Sequence, residues 1–209
     1  MGRIFEGIDD TLRRWLAKQP MFFVATAPND PEGRVNLSPK GGEGTFRVLG
    51  PNRVAYVDLV GSGVETVAHL RENGRIALMF CAFSGPPKIV RLHGQGRVIP
   101  EDDPEYAALL PAFPLPEEHV PLARGMVMVE VTRISDSCGF GVPRMDVVAE
   151  RDQLLRWSEG QHAKHGEHWK ARYIGANNAA SIDRLPGYDV EVALAEGEAR
   201  ALSSSGRAL

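Results

Sequence analysis

Glycine and proline punctuate this chain so often that nearly every apolar run in it is short, and that rhythm limits what it can fold into. Residues 21–27 form a brief aromatic and apolar run, and residues 34–38 return after a Pro-Asn-Asp-Pro-Glu-Gly turn. Residues 46–49 and 54–59 flank Gly50-Pro51-Asn52-Arg53, the pattern of a hairpin. Residues 76–81 and 89–93 are further strands joined by a turn at residues 84–87, the second continuing through Gly94 and Gly96 to Ile99. Residues 126–134 give a last long strand. Runs of this length, closely spaced, predict a mainly β fold, a closed or nearly closed β-barrel with helical additions.

Helical periodicity is confined to a few places. Ile8, Leu12, Trp15 and Leu16 predict a first helix over residues 9–18, stopped by Pro20. Val64, Val67, Ala68 and Leu70 predict a second, ended by Asn73-Gly74. Residues 152–160 form an amphipathic segment, and residues 104–121, rich in proline, read as a surface excursion with one helical patch. With no internal repeat and no dividing linker, residues 1–190 are expected to form a single domain. Residues 191–209, mostly Ala, Gly, Ser and Glu, are expected to fray as a flexible tail.

A formal net charge of −3 offers no broad basic field for a nucleic acid. No run reaches the roughly 18 apolar residues of a membrane span, and the N-terminus lacks the apolar core of a signal peptide. Cys81 and Cys138 form no CxxC pair and read as free thiols. A cytoplasmic protein without nucleic-acid or membrane partners is expected.

Two segments stand out chemically. In residues 34–38 Val35 and Leu37 point one way while Arg34, Asn36 and Ser38 point the other, after which Pro39 ends the ladder and Lys40 offers a cation before two glycines. A polar strand end with a flexible turn explains the same residues. Gly61-Ser62-Gly63 leading into Val64-Glu65-Thr66 collects unpaired N–H groups that favour an anion, with Ser62 and Thr66 adding hydroxyls. Equally, Ser62 and Glu65 fit a capping box, and the Glu65 carboxylate competes with a bound phosphate. Arg91 and His93 share a strand face and either look toward a ligand or form a surface pair. His162, His165 and His168 recur at intervals of three, but Gly160 and Gly166 interrupt the helix that would present them, and no metal site is expected.

Taken in order, Phe22 to Ala27, Val35-Asn36-Leu37-Ser38-Pro39-Lys40-Gly41, Gly61-Ser62-Gly63 with Glu65-Thr66, and Ala68 to Ile76 resemble the pyridoxamine 5'-phosphate oxidase-like FMN-binding split-barrel family. Met79 to Phe83, Pro87 to Gly94, Ser137 to Pro143 and Ser181-Ile182-Asp183 before Leu185-Pro186-Gly187 continue the resemblance, which is to a branch apart from the oxidase itself. It implies a split β-barrel and a homodimer with FMN in the cleft between subunits. The strand holding Val35, Asn36, Leu37, Ser38 and Lys40 would run beside the ring, and Ser62, Glu65 and Thr66 would meet the phosphate. Arg91 would approach from the partner side. It further implies an FMN-dependent oxidoreductase acting on a small molecule; a deazaflavin-dependent reductase and a non-catalytic flavin or haem binder, with His69 or His93 on the iron, are the alternatives.

The family's Ser-Arg-Lys at the phosphate-binding helix start is absent here, so phosphate binding must rest on Lys40, Arg91, hydroxyls and backbone. Each lost charged hydrogen bond costs about 1 kcal/mol or more. The oxidase's C-terminal Arg-Leu-His signature is absent too, so vitamin B6 oxidation is not expected.

Overall fold

The computed structural model describes residues 2–189; the predicted flexible tail lies outside the described residues. The chain runs through β1 (Ile4–Phe5), α1 (Asp10–Ala17), β2 (Met21–Thr26), β3 (Asn36–Gly41), β4 (Phe46–Gly50), β5 (Arg53–Leu59) and α2 (Glu65–Asn73). It continues through β6 (Arg75–Cys81), β7 (Ile89–Pro100), α3 (Pro104–Leu109), β8 (Ala123–Ser137), α4 (Gln153–His165) and α5 (Trp169–Asn177). Every strand pairing is antiparallel, in the order β3-β2-β6-β7-β8-β5-β4, with β1 added beside β8.

The sheet curls until its ends share one core. Phe22 of β2 meets Phe46 of β4 at 5.3 Å and Tyr56 of β5 at 5.5 Å between ring centroids, although these strands stand near opposite ends of the sheet. Yet β3 and β4, consecutive in sequence, are not hydrogen-bonded to each other. The result is a mainly β split barrel with helical additions, open where its two edge strands part.

Local chemistry explains most element boundaries. Asp9 caps α1 by accepting from the Leu12 N–H, and Gly74 ends α2 in the left-handed conformation at φ 70°. Contrary to the sequence expectation, Pro39 does not end β3. It pairs with Phe23 in mid-strand, which an edge strand tolerates because a missing N–H there breaks no ladder bond. The excursion after β7 is not merely superficial either: Tyr106, Phe113 and Leu122 are buried, the first two in a second core cluster with Val57 and Met126.

Helix α4 runs through Gly160 and breaks only at Gly166. Helix α5, unforeseen from sequence, packs with it through Trp157, Trp169 and Tyr173 over Val60 and Leu122. Among the described residues no helix is long and apolar enough to cross a membrane, and no group of His, Cys, Asp or Glu is placed to hold a metal. Cys81 and Cys138 are both free, the first buried and the second exposed.

Candidate functional site

A polar cavity of about 320 Å³ lies where the barrel splits, near the lower end of ordinary small-molecule sites. Its walls are the inward face of β3, the end of β5, Val60, Gly61, Gly63 and Val64, and the start of α2.

Residues along β3 alternate as expected. Asn36, Ser38 and Lys40 turn inward to the cavity, while Leu37 is 64% exposed on the other face. Val35, just before the strand, is 73% exposed, so the Val35 and Leu37 side chains do not line the cavity. Because β3 pairs only with β2, the backbone groups of its free edge have no ladder partner. Asn36 Nδ2 donates to Thr66 Oγ1 at 3.0 Å, to Thr26 Oγ1 at 3.2 Å and to Ser38 Oγ at 3.3 Å, tying β3 to the helix start.

Lys40 is not a spare cation. Its Nζ donates to Asp58 Oδ1 at 2.9 Å, while Arg124 Nε donates to Asp58 Oδ2 at 2.8 Å. Burial pushes the Asp58 carboxyl up, but Lys40 and Arg124 together outweigh it and hold the group at about 2. Tyr188 OH stands 3.5 Å from the same carboxylate, and burial drives that phenol far above its ordinary range.

Arg124, only 4% exposed, organises the loop before α2. It donates to Gly61 O at 2.9 Å, Gly63 O at 2.8 Å and Asn178 Oδ1 at 2.8 Å. Asn178 Nδ2 adds bonds to Gly61 O and Ser62 O. In a trans peptide the N–H points opposite to the C=O. Holding these three carbonyls therefore turns the N–H groups of Ser62, Gly63 and Val64 away from Arg124, and among the described residues none of them has a protein acceptor.

The helix start itself corrects one expectation. Val64, not Ser62, stands at the N-cap position of α2, and no side chain caps it, so the capping box does not form. Glu65 instead accepts from the Ile182 N–H at 3.4 Å, although it still lines the cavity. Ser62 does not line the cavity.

Asn36, Ser38, Lys40, Glu65 and Thr66 are thus brought together, and Arg91 is not. Arg91 lies on the outward face of β7, where it donates to Ser137 Oγ at 3.1 Å. His69 is fully buried, with Nδ1 against Thr26 Oγ1 at 2.9 Å and Nε2 without a partner; desolvation lowers its pKa. His93 is half-buried beside Arg91 and Arg133. Sequence reading missed Asp58, Arg124, Asn178 and Tyr188. The one local signal was Asp58, a charge inside the apolar run Val54-Ala55-Tyr56-Val57-Asp58-Leu59, which demands a partner.

The donor set suits a phosphorylated planar ligand in two respects. Unpartnered N–H groups at an uncapped helix start suit a phosphate, and an unpaired strand edge suits a ring rimmed with donors and acceptors. It differs from a cationic phosphate cage in that both cations present are committed to Asp58.

Comparison with known proteins gives three kinds of finding. The family model described as pyridoxamine 5'-phosphate oxidase matches residues 8–138. The pyridoxamine 5'-phosphate oxidase family protein ustO of Aspergillus flavus is 38% identical over 202 residues, covering 88% of this chain and 76% of the relative. Among solved structures, HupZ of Group A Streptococcus is 19% identical with a TM-score of 0.46, covering 61% of this chain and 91% of the other. A pyridoxamine 5'-phosphate oxidase-related, FMN binding protein of Nostoc punctiforme is 14% identical with a TM-score of 0.41, covering 59% and 76%.

Proposed function

Because the chain belongs to the pyridoxamine 5'-phosphate oxidase family, we propose that it binds FMN in the polar cavity and serves as an FMN-dependent oxidoreductase for a small molecule, working as a cytoplasmic homodimer. The observation that carries this reading is the pair of unpartnered N–H groups at Gly63 and Val64, two residues that line a cavity whose other wall is the inward face of β3. Those N–H groups, with the start of α2, would hold the phosphate. Asn36, Ser38 and the β3 backbone would hold the ring.

A flavin supplies hydride transfer when bound, and the protein supplies orientation and electrostatics. Here the chain's own part is to fix the loop through Arg124 and Asn178, and to hold the Lys40 side chain at the strand end through its bond to Asp58. The homodimer reading is supported by the apolar residues left on the outward side, with Val35 and Leu37 exposed and Phe23 and Met79 half-buried. A full burial around His69 and its bond to Thr26 give haem ligation by that residue no support.

The absorption spectrum of the purified protein tests the reading. Paired near-ultraviolet and blue bands, or their appearance on titration with FMN, are expected. A colourless protein that takes up no FMN overturns it, and one intense Soret band puts haem in its place.

A further inference from the structure

Beside the polar cavity lies a larger one of about 660 Å³, roofed by the C-terminal extension. It runs from the β3 strand end to residues 145–152 and α4, and it shares Pro39, Lys40, Gly41 and Leu59 with the polar cavity. The two are therefore neighbours across one strand end. Its walls are mostly apolar, with Met21, Phe83, Met145, Leu154 and Leu155 among them.

The charges around it are lopsided. Glu43, Glu118, Asp146 and Glu150 line the cavity from exposed positions at its rim, and none has an ion pair or hydrogen bond from its carboxylate to another described residue. Asp152 is answered by Arg156 and Lys40 by Asp58, which leaves Arg151 as the opposing cation. His119 also lines this space, its Nδ1 shielded from water and without a partner. Apolar walls reward burial of a hydrocarbon body. Unanswered carboxylates lower the energy of a positive charge and raise that of a negative one.

We propose that this second cavity is a binding site for a small organic cation, an apolar body carrying one ammonium or quaternary ammonium group. That this ligand is the substrate rests on the FMN reading; that it binds does not. The ligand's body lies among Met21, Phe83, Leu154 and Leu155, and its charge is met by Glu118 and Glu150.

Calorimetric titration of the purified full chain with benzyltrimethylammonium, benzyl alcohol and phenylacetate tests the site, with FMN absorbance followed in the same samples. The cation is expected to bind at least about tenfold more tightly than either other probe, equivalent to about 1.4 kcal/mol. The double variant Glu118→Gln/Glu150→Gln, which removes charge from side chains that make no internal bond, is expected to lose most of that preference while FMN absorbance holds. Ala149→Trp, which fills the cavity, is expected to abolish binding of the cation. Equal affinities for the three probes, preference for phenylacetate, or an unaltered double variant would overturn the proposal. So would affinity that falls as protein concentration rises, since a second copy would then occupy the cavity. Failure of the FMN reading shows separately, as missing flavin absorbance whatever the probes do.

Discussion

Replacing Asp58 with asparagine strikes the centre of the charge network under the candidate FMN cavity. The side chains of Asp58 and Arg124 are only 4% and 3% exposed, so little solvent screening weakens the pair. Burial raises the Asp58 pKa, but Lys40 and Arg124 overcome this and bring it from 3.8 to about 2. The folded value lies below the unfolded one. The stabilisation is therefore complete above the unfolded pKa and is lost as pH falls through the folded pKa. A displacement of this size corresponds to ~2.5 kcal/mol. Removing one partner of a buried pair costs about 3–5 kcal/mol, and the bonds Arg124 keeps to Gly61, Gly63 and Asn178 place the expected loss at ~3 kcal/mol, near the lower bound of that range. Urea unfolding followed by circular dichroism near neutral pH should show a lower midpoint with an unchanged slope. The gap between the native and Asp58→Asn proteins should narrow below about pH 4, where the Asp58 carboxylate of the unfolded native-sequence chain takes up a proton that the folded protein does not accept until about pH 2. A loss below about 1 kcal/mol, the size of an exposed pair, or a gap that stays constant into acid, would refute the reasoning.

Lys40→Ala, which takes one of the two cations from Asp58 at the strand end beside the cavity, should weaken FMN binding about tenfold, measured by quenching of flavin fluorescence. His69 has its pKa lowered by desolvation from 6.5, so folding is favoured above that value and weakened as pH falls below it. His69→Gln should flatten the fall in melting temperature on acidification through about pH 6, read by calorimetry. A Cβ at Gly187 would collide with the Asn178 carbonyl and come within 2.8 Å of Val64 Cγ2. Gly187→Ala should therefore cost about 1–3 kcal/mol and loosen the loop before α2, seen as faster amide exchange at Ser62 to Val64. Leu37→Glu, on the exposed face of β3, should shift the sedimentation of the protein from the proposed dimer to monomer.

How much of this could be read in the residues depended on the range of the interaction. Gly74 ends α2 through its own backbone freedom, and the hairpin around Gly50-Pro51-Asn52-Arg53 follows from adjacent residues, so both were legible. The inward set Asn36, Ser38 and Lys40 follows from the two-residue period of a strand. Pro39 was misread because proline disrupts a ladder only where its missing N–H is needed, and edge position belongs to the sheet rather than to the sequence. The capping box at Ser62 failed for a similar reason: the loop carbonyls there are claimed by Arg124 and Asn178, from more than 60 and 110 residues away. Local pattern does not reveal which distant arginine will do so.

That long-range hold also bears on how the candidate anion site is built. The family model ends at residue 138, yet Asn178 and Tyr188 lie beyond it and are both buried against the cavity floor. Arg71 further donates to the Gly187 carbonyl, tying α2 to the same extension. The loop that presents N–H groups to the cavity is therefore braced on one side by β8 of the barrel and on the other by the extension. An anion site built this way needs no arginine or lysine at the helix start, because Arg124 and Asn178 fix the backbone donors in place before any ligand arrives. Preorganised neutral donors give up the charge of the missing pair but spare the cost of ordering a loop on binding. The extension that roofs the apolar cavity and the extension that braces the anion site are one piece of chain. Loosening it, as Gly187→Ala should, is thus expected to lower affinity for FMN and for the organic cation together.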